Sequence, residues 1–584
     1  MQSNRLVVAA VVLAASPKVF AQPTDPAPPA AAAPIDEAKI KEIVDREVAR
    51  ILTERAAREA AEKAAKEAAE KETRTGSPNK DEDMTGASGF MDTRLAFTLT
   101  NENILAKPGE TIPSVPGWRF GTPNSLGVLF FDNYDTRFSG FETLSHAIMY
   151  RSYSKGHLQA EGAFVLRINE LSETNISLAD AGSYMVITNW KDPTHKDPTR
   201  ISLTAFPVSS DRFRLGYSFR LSWGGSPEYK RARSSNPGAK LQYDFKKGYA
   251  FVGAKSAVVV DPADGEQKAA LAVLAGAGID LIQPCLVGTP GCKANDLGVR
   301  AEVNGGYFDR GKNELQDVQD QKVQLFGASA QLSIYKGLPL RNSIDFRLYR
   351  YNNEQISNLF APEKYPGGLA WMAQAEFTAM GQTLKDPENT GSTVNQLGYA
   401  GDLNVRVKYN RVRLRLDLSY RDLAFILHSQ PSLPPYSDFP SDYELAPNLF
   451  AAVGADKNWG DWLTLGVIAG VELPATLTTP KGIPGQAIGA GTGTSTAVIR
   501  NNNIDTLITI LPPGEDALPQ TAVKGTAKID FGRIYAAVLE VFYSYDPNQT
   551  RYSRVCPDPD NCAFAYEPGQ FNQLGVNATL QARF

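Results

Sequence analysis

The densest set of chemistry-bearing side chains lies between Asp402 and Arg421. There Arg406, Lys408, Arg413 and Arg415 alternate with Val405, Val407, Val412, Leu414 and Leu416. A period of two puts the bases on one face of a strand pair and the apolar residues on the other. With Asn410-Arg411 as a two-residue turn, Lys408 opposes Arg413 and Arg406 opposes Arg415. Facing like charges cost on the order of a few tenths of a kcal/mol, so such a wall asks for a reason. Arg212, Arg214 and Arg220 alternate in the same way with Phe213, Leu215, Tyr217, Phe219, Leu221 and Trp223 and read as one further strand; Arg300 and Arg347 are expected on the same wet face. Bases lining a confined aqueous space attract anions. The alternative is structural: Asp345, Glu302, Asp417 and Glu376 would neutralise the bases in ion-pair ladders.

Other chemistry finds little support. His146, His157, His195 and His428 stand at no metal-ligand spacing, and no metal or cofactor is expected. Gly86-Ala87-Ser88-Gly89 lacks the last glycine of a nucleophile elbow and reads as linker. Gly489-Ala490-Gly491-Thr492-Gly493 has no following helix to present N–H groups to a phosphate and reads as flexible loop. The cysteines form two close pairs, Cys285 with Cys292 and Cys556 with Cys562, expected as local disulfides in an oxidising compartment. A zinc site is disfavoured, because neither pair has CxxC spacing or a nearby histidine. The chain is not expected to be an enzyme.

What positions the basic wall is legible at the two ends of the sequence. From Gln573 to Phe584, Leu574, Val576, Ala578, Leu580, Ala582 and Phe584 alternate with Gln573, Gly575, Asn577, Thr579, Gln581 and Arg583. That strand is apolar on one side and wet on the other, with Phe584 placed for an aromatic girdle at a bilayer edge. It resembles the C-terminal signal by which assembly machinery recognises bacterial outer-membrane barrels. At the start, Arg5, the apolar run Leu6 to Ala15 and Val19-Phe20-Ala21 read as a signal peptide over residues 1–21. No later stretch reaches the length of an apolar membrane helix. The mean hydropathy of −0.27 fits strands that are half wet. The expected fold is all-β, an antiparallel transmembrane barrel in the outer membrane of a Gram-negative cell.

Walking the alternation gives eighteen strands, with sixteen possible. They start near Asp92, Glu142, His157, Thr199, Asp211, Gly238, Gly248, Lys268 and Asp296, then Gln321, Arg341, Gly398, Arg411, Pro447, Asp461, Thr521, Arg533 and Phe571. Tight turns then fall at Ser154-Lys155-Gly156, Val208 to Ser210, Lys246-Lys247, Gly337-Leu338-Pro339, Asn410-Arg411, Asn458-Trp459-Gly460 and Gly532, all on the periplasmic side. Counting Leu369 to Gly381 as well would make the total odd. Its Ala, Met, Gln and Glu favour helix, so it is expected in a loop that folds inward and narrows the lumen. Asp558-Pro559-Asp560-Asn561, in the last external loop, could hold Ca²⁺ or bridge lipopolysaccharide, against the plainer reading of a solvated loop.

Ahead of the barrel, assigned to residues 90–584, lie a Pro/Ala linker (22–34), a helix (35–74) and a polar linker (75–89). Ile40, Ile43, Val44, Val48, Ile51 and Leu52 form one apolar stripe, and Glu59 with Lys63, Glu62 with Lys66 and Glu67 with Lys71 are favourable i,i+4 pairs. The stripe suits a short periplasmic coiled coil, with a solitary spacer helix or a grip on another partner as alternatives. The net charge of −4 gives no argument for nucleic acid.

An N-terminal helix followed by a large barrel resembles the trimeric outer-membrane porins with a periplasmic coiled coil, the phosphate-selective and dicarboxylate-type porins. The resemblance covers layout and C-terminal signal, and those porins usually have sixteen strands. It implies a homo-oligomer, a trimer, that carries small hydrophilic, anionic solutes by passive diffusion. The rival is a non-transporting envelope barrel, a scaffold, adhesin or motility component, whose helix binds a partner or the cell wall.

Overall fold

The computed structural model describes residues 86–100, 145–171, 176–180, 182–218, 220–225, 235–283, 297–337, 368–428, 437–460, 462–480, 494–502, 505–512, 514–531, 535–558, 561–569 and 572–583. The signal peptide, the Pro/Ala linker and the helix lie outside the described residues, as do Cys285, Cys292, Asp345, Arg347, the strand expected from Arg341, the 489–493 glycines and Phe584.

Period-two alternation dominates what is described. The strands are β1 (Gly86–Thr100), β2 (Ser145–Lys155), β3 (Leu158–Leu171), β4 (Ile176–Asp180), β5 (Tyr184–Trp190), β6 (Arg200–Phe206), β7 (Gly238–Phe245), β8 (Gly248–Val260) and β9 (Gln267–Ile282). Then come β10 (Leu297–Lys312), β11 (Lys322–Lys336), β12 (Leu369–Lys385), β13 (Thr393–Tyr409), β14 (Val412–Arg421), the short helix α1 (Leu423–His428), β15 (Glu444–Ala446), β16 (Asn448–Trp459) and β17 (Leu463–Leu473). Last are β18 (Ala475–Thr479), β19 (Ser495–Asn502), β20 (Asp505–Ile510), β21 (Gln520–Phe531), β22 (Tyr535–Tyr545), β23 (Thr550–Asp558), β24 (Asn561–Pro568) and β25 (Asn572–Arg583).

Nineteen strands share one sheet, and β4 and β5 pair in succession along the same side of β3 as one interrupted strand, leaving eighteen in sequence. Each pairs antiparallel with its neighbours, and β25 pairs back onto β1 from Asp92↔Arg583 to Thr100↔Gly575, so the pairing runs in a ring. Lys155 to Leu158, Phe245 to Gly248 and Tyr409 to Val412 are tight turns at the end where β1 begins and β25 stops. Gly156 and Asn410 take positive φ there, a conformation glycine adopts freely and asparagine tolerates. The opposite end carries a four-stranded sheet (β15, β18, β19, β20) and the β23–β24 hairpin, while the long connection from Lys336 to Leu369 lies at the tight-turn end.

The number of strands agrees with the sequence reading, but two of its members differ. β5 is a ring strand that the sequence reading passed over, and Asp211 to Trp223 is not a ring strand. Leu369 to Gly381 is not an inward loop: it belongs to β12, paired with β13 from Leu369↔Tyr409 to Lys385↔Thr393. Its outward residues Leu369, Trp371, Ala373, Ala375, Phe377 and Ala379 form an unbroken apolar row, and that periodicity outweighs the helix propensity of the segment. Because β11 pairs directly with β12, the ring has no place for a strand from Arg341. β1 starts at Gly86, so Gly86 to Gly89 is strand and not linker.

Candidate functional site

Among the described residues, the connection between β6 and β7 enters the ring. There, residues 207–218 and 220–225 fold inward as a loop whose Leu215 and Trp223 exchange both backbone hydrogen bonds, 2.8 and 3.0 Å. Gly216 and Gly224 flank this hairpin at φ of 84° and 77°. A Cβ at Gly216 would stand 2.9 Å from the Leu221 carbonyl, and one at Gly224 2.7 Å from the Phe308 ring, so both positions demand glycine.

The base of the loop is bolted down. The Lys255 ammonium on β8, 1% exposed, donates to the Ser210 and Gly224 carbonyls at 2.8 and 2.6 Å. Trp223 packs on Phe308 and donates its indole N–H to Ser329 Oγ at 3.1 Å. Phe206, Phe213, Leu215 and Leu221 are fully buried in the same apolar cluster as Leu274, Leu325 and Met380.

The tip is held differently. Tyr217 and Ser218 donate backbone N–H groups to the Glu376 carboxylate at 2.9 and 2.5 Å. Arg220 donates to Ser419 Oγ at 3.1 Å and Glu472 Oε1 at 3.0 Å, with its guanidinium 3.5 Å above the Phe450 ring. Partners on β8, β11, β12, β14, β16 and β17 can meet one loop only from within the ring, which identifies the inner face of every strand.

Seen from that face, the arrangement is inside-out. Outer positions carry exposed large apolar side chains, among them Met185, Phe377, Val453 and Leu580, while buried inner positions carry Lys524, Glu540, Asp417, Asn577 and Thr579. β25 shows the alternation expected of it, with Leu574 and Leu580 exposed and Asn577, Thr579 and Gln581 buried.

The basic residues singled out in the sequence fall into two groups. Arg406, Lys408, Arg413 and Arg415 lie on the inner face of β13 and β14, with Lys408↔Arg413 and Arg406↔Arg415 in register. Arg413 Nε donates to both carboxylate oxygens of Asp456 at 2.7 and 2.9 Å, Arg415 bonds Asp417, and Arg406 donates to Asn404 Oδ1 at 2.9 Å. Arg300 on β10 pairs with Asp280 on β9 at 2.6 and 2.9 Å. Arg212, Arg214 and Arg220 instead belong to the inner loop, where Arg212 is buried and Arg214 bonds Asp211 at 2.8 Å. Phe213, Leu215, Leu221 and Trp223, expected as the other face of a wall strand, pack inward.

Sequence reasoning missed several inner charges. Arg421 shares Glu472 with Arg220 at 3.6 Å, Lys524 pairs with Glu540 at 3.1 Å, and Lys528 pairs with Asp530 at 2.7 Å. The signal for the last two was present, since Lys524, Lys528 and Asp530 alternate with Val523, Ala527 and Ile529 along β21. Of the proposed neutralising carboxylates, Asp417 does pair with a base, whereas Glu376 holds the loop tip and Glu302 accepts from the Tyr249 hydroxyl at 3.0 Å.

Compared with known proteins, no family model and no curated protein matches the chain. Among solved structures it is similar to Pseudomonas aeruginosa OprD, at 9% identity over 85% of this chain and 95% of that one, TM-score 0.34. OccK11 (OpdR) of the same organism gives 9% identity over 86% and 96%, TM-score 0.35, and an anion-selective porin from Comamonas acidovorans 9% over 86% and 100%, TM-score 0.33. At such scores nothing of those proteins' selectivity carries over to this chain.

Elsewhere, β23 and β24 place Cys556 and Cys562 on adjoining strands beside the Val555↔Ala563 pair, close to the Asp558 to Asn561 turn. His157 donates from Nδ1 to the Trp190 carbonyl and His195 from Nε2 to the Gly156 carbonyl, both near the tight-turn end. His428 is buried under α1. Among the described residues no cluster of three or more His, Cys, Asp or Glu is placed to hold a metal.

Proposed function

We propose that the chain is an outer-membrane barrel that lets small hydrophilic solutes diffuse through its lumen, with a lean toward anions. The observation that carries this is the inside-out distribution of side chains around a ring of strands: exposed Leu, Val and Phe outside, charged and amide side chains inside. The inner loop takes the narrowing role first expected of Leu369 to Gly381. The anion lean rests on β13 and β14, where Arg406, Lys408, Arg413 and Arg415 share one inner face, with Arg413 bonded to Asp456 and Arg415 to Asp417, gathering four bases in a confined space where screening is weak.

Single-channel recording on purified protein in planar bilayers tests this. Steady ohmic steps with an anion-leaning reversal potential are expected. A silent membrane would overturn the reading and favour the rival, a non-transporting envelope barrel, which draws support from the apolar packing of the inner loop. The apolar stripe over residues 35–74 supports self-association as a trimer or a grip on a periplasmic partner, and sedimentation of that peptide separates the two.

A further inference from the structure

The two ends of the inner loop are held by opposite kinds of force. Around the base, apolar side chains close over the Lys255 ammonium, and Trp223 is sunk between Phe308 and Ser329. Releasing that end would expose several large apolar groups to water, each costing on the order of 1.5–3 kcal/mol. At the tip the apolar contact shrinks to a partly buried Tyr217 against that cluster and Arg220 on the Phe450 ring, and polar bonds do the rest. Its bonds to Glu376, Ser419 and Glu472 are polar; the Arg220 and Glu472 side chains retain 11% and 9% exposure, so water can take over the Arg220 bonds when the tip moves off, while Glu376 is buried under the tip. Gly216 sits at the junction, at a positive φ where backbone can rotate without a Cβ in the way.

We propose that the inner loop is a gate with a fixed base and a releasable tip. Tyr217, Ser218 and Arg220 rest against β12, β14 and β17 in the narrow state and leave that wall in a wider one, pivoting near Gly216. Arg220 is the latch: its guanidinium joins a hydroxyl on β14, a ring on β16 and a carboxylate on β17. Glu376 is the second catch and acts on backbone N–H groups. This proposal rests on the channel reading above.

The test uses the full chain with Arg220→Ala, Arg220→Lys and Glu376→Gln, each also carrying Ser218→Cys. Maleimide labelling at position 218, above the background of the parent chain, is read alongside planar-bilayer conductance. Arg220→Ala and Glu376→Gln are expected to label at least tenfold faster and to show a larger or more often visited upper conductance level, with Arg220→Lys between them and the parent. Labelling and conductance both unchanged would overturn the gate and leave the channel reading standing. Faster labelling with no current through any variant would overturn both, since a free tip would then uncover no passage.

Discussion

Arg406 and Arg415 face one another across β13 and β14, and each bonds one member of the next inner pair in register, Asn404 and Asp417. Arg415 bonds the Asp417 carboxylate, Arg406 donates to the Asn404 carbonyl oxygen, and Asn404 in turn donates to Asp417. A like-charge pair that would repel across a bare strand pair is thus tied through one carboxylate and one amide. The tie lowers the cost of keeping the pair and leaves a surplus of positive charge on the wall.

Arg406→Glu combined with Arg415→Glu inverts that surplus. Local charge falls by four units, and the anion lean is expected to vanish or reverse, while exposed apolar positions on the outer face stay untouched. The reversal potential in a salt gradient decides it. An unchanged potential would mean that these arginines do not face the conducting path.

The register of this hairpin was legible in the sequence, because alternation and one turn suffice to set every partner. The ring size was legible too, though through two compensating exchanges. β5 went unread because Tyr184–Trp190 is short and its alternation, with Asn189 and Trp190 at the end, is hard to separate from a loop. Phe213 to Trp223 alternates just as a wall strand does, yet its apolar side turns toward a core inside the ring. Period-two patterning reports that one face is buried; it is silent on whether lipid or protein buries it. The tip contacts join residues more than 150 positions apart, such as Tyr217 with Glu376, and no local signal encodes them.

Val453, on β16, tests the outer face. It is 58% exposed, and an arginine there would pay about 2–4 kcal/mol near the bilayer midplane. Val453→Arg is expected to lower the urea midpoint in lipid vesicles by a corresponding margin. A midpoint equal to the parent's would contradict a lipid-facing surface at this strand.

Trp223→Ala probes the loop base. Removing a buried indole from a packed cluster costs about 3–5 kcal/mol, and Ser329 loses a donor. The ring ladders do not involve this side chain, so the inner loop should become protease-sensitive while the β content measured by circular dichroism persists. Simultaneous loss of both would show that the loop and the ring fold as one unit.

The last prediction concerns pH. His428 ends α1, which Asp422 caps by accepting the Phe425 N–H at 2.6 Å. Its Nε2 donates to Gln396 Oε1 at 2.9 Å, and its carbonyl accepts from Arg310. Burial, and then the charge of Arg310, push the imidazole down to about 3. A released α1 would present an ordinary histidine that takes a proton near 6.5, whereas the docked one stays neutral. The docked state therefore holds its full advantage above about pH 6.5 and loses it as pH falls toward 3, by up to tenfold in population per pH unit. Hydrogen exchange of α1 amides, corrected for the intrinsic pH effect, should accelerate through that window. His428→Gln keeps a side-chain donor for Gln396 but carries no titrating proton, so its corrected exchange should be flat with pH. A parent protein equally flat would mean that α1 stays docked when His428 is protonated, and that its burial costs the helix nothing in acid.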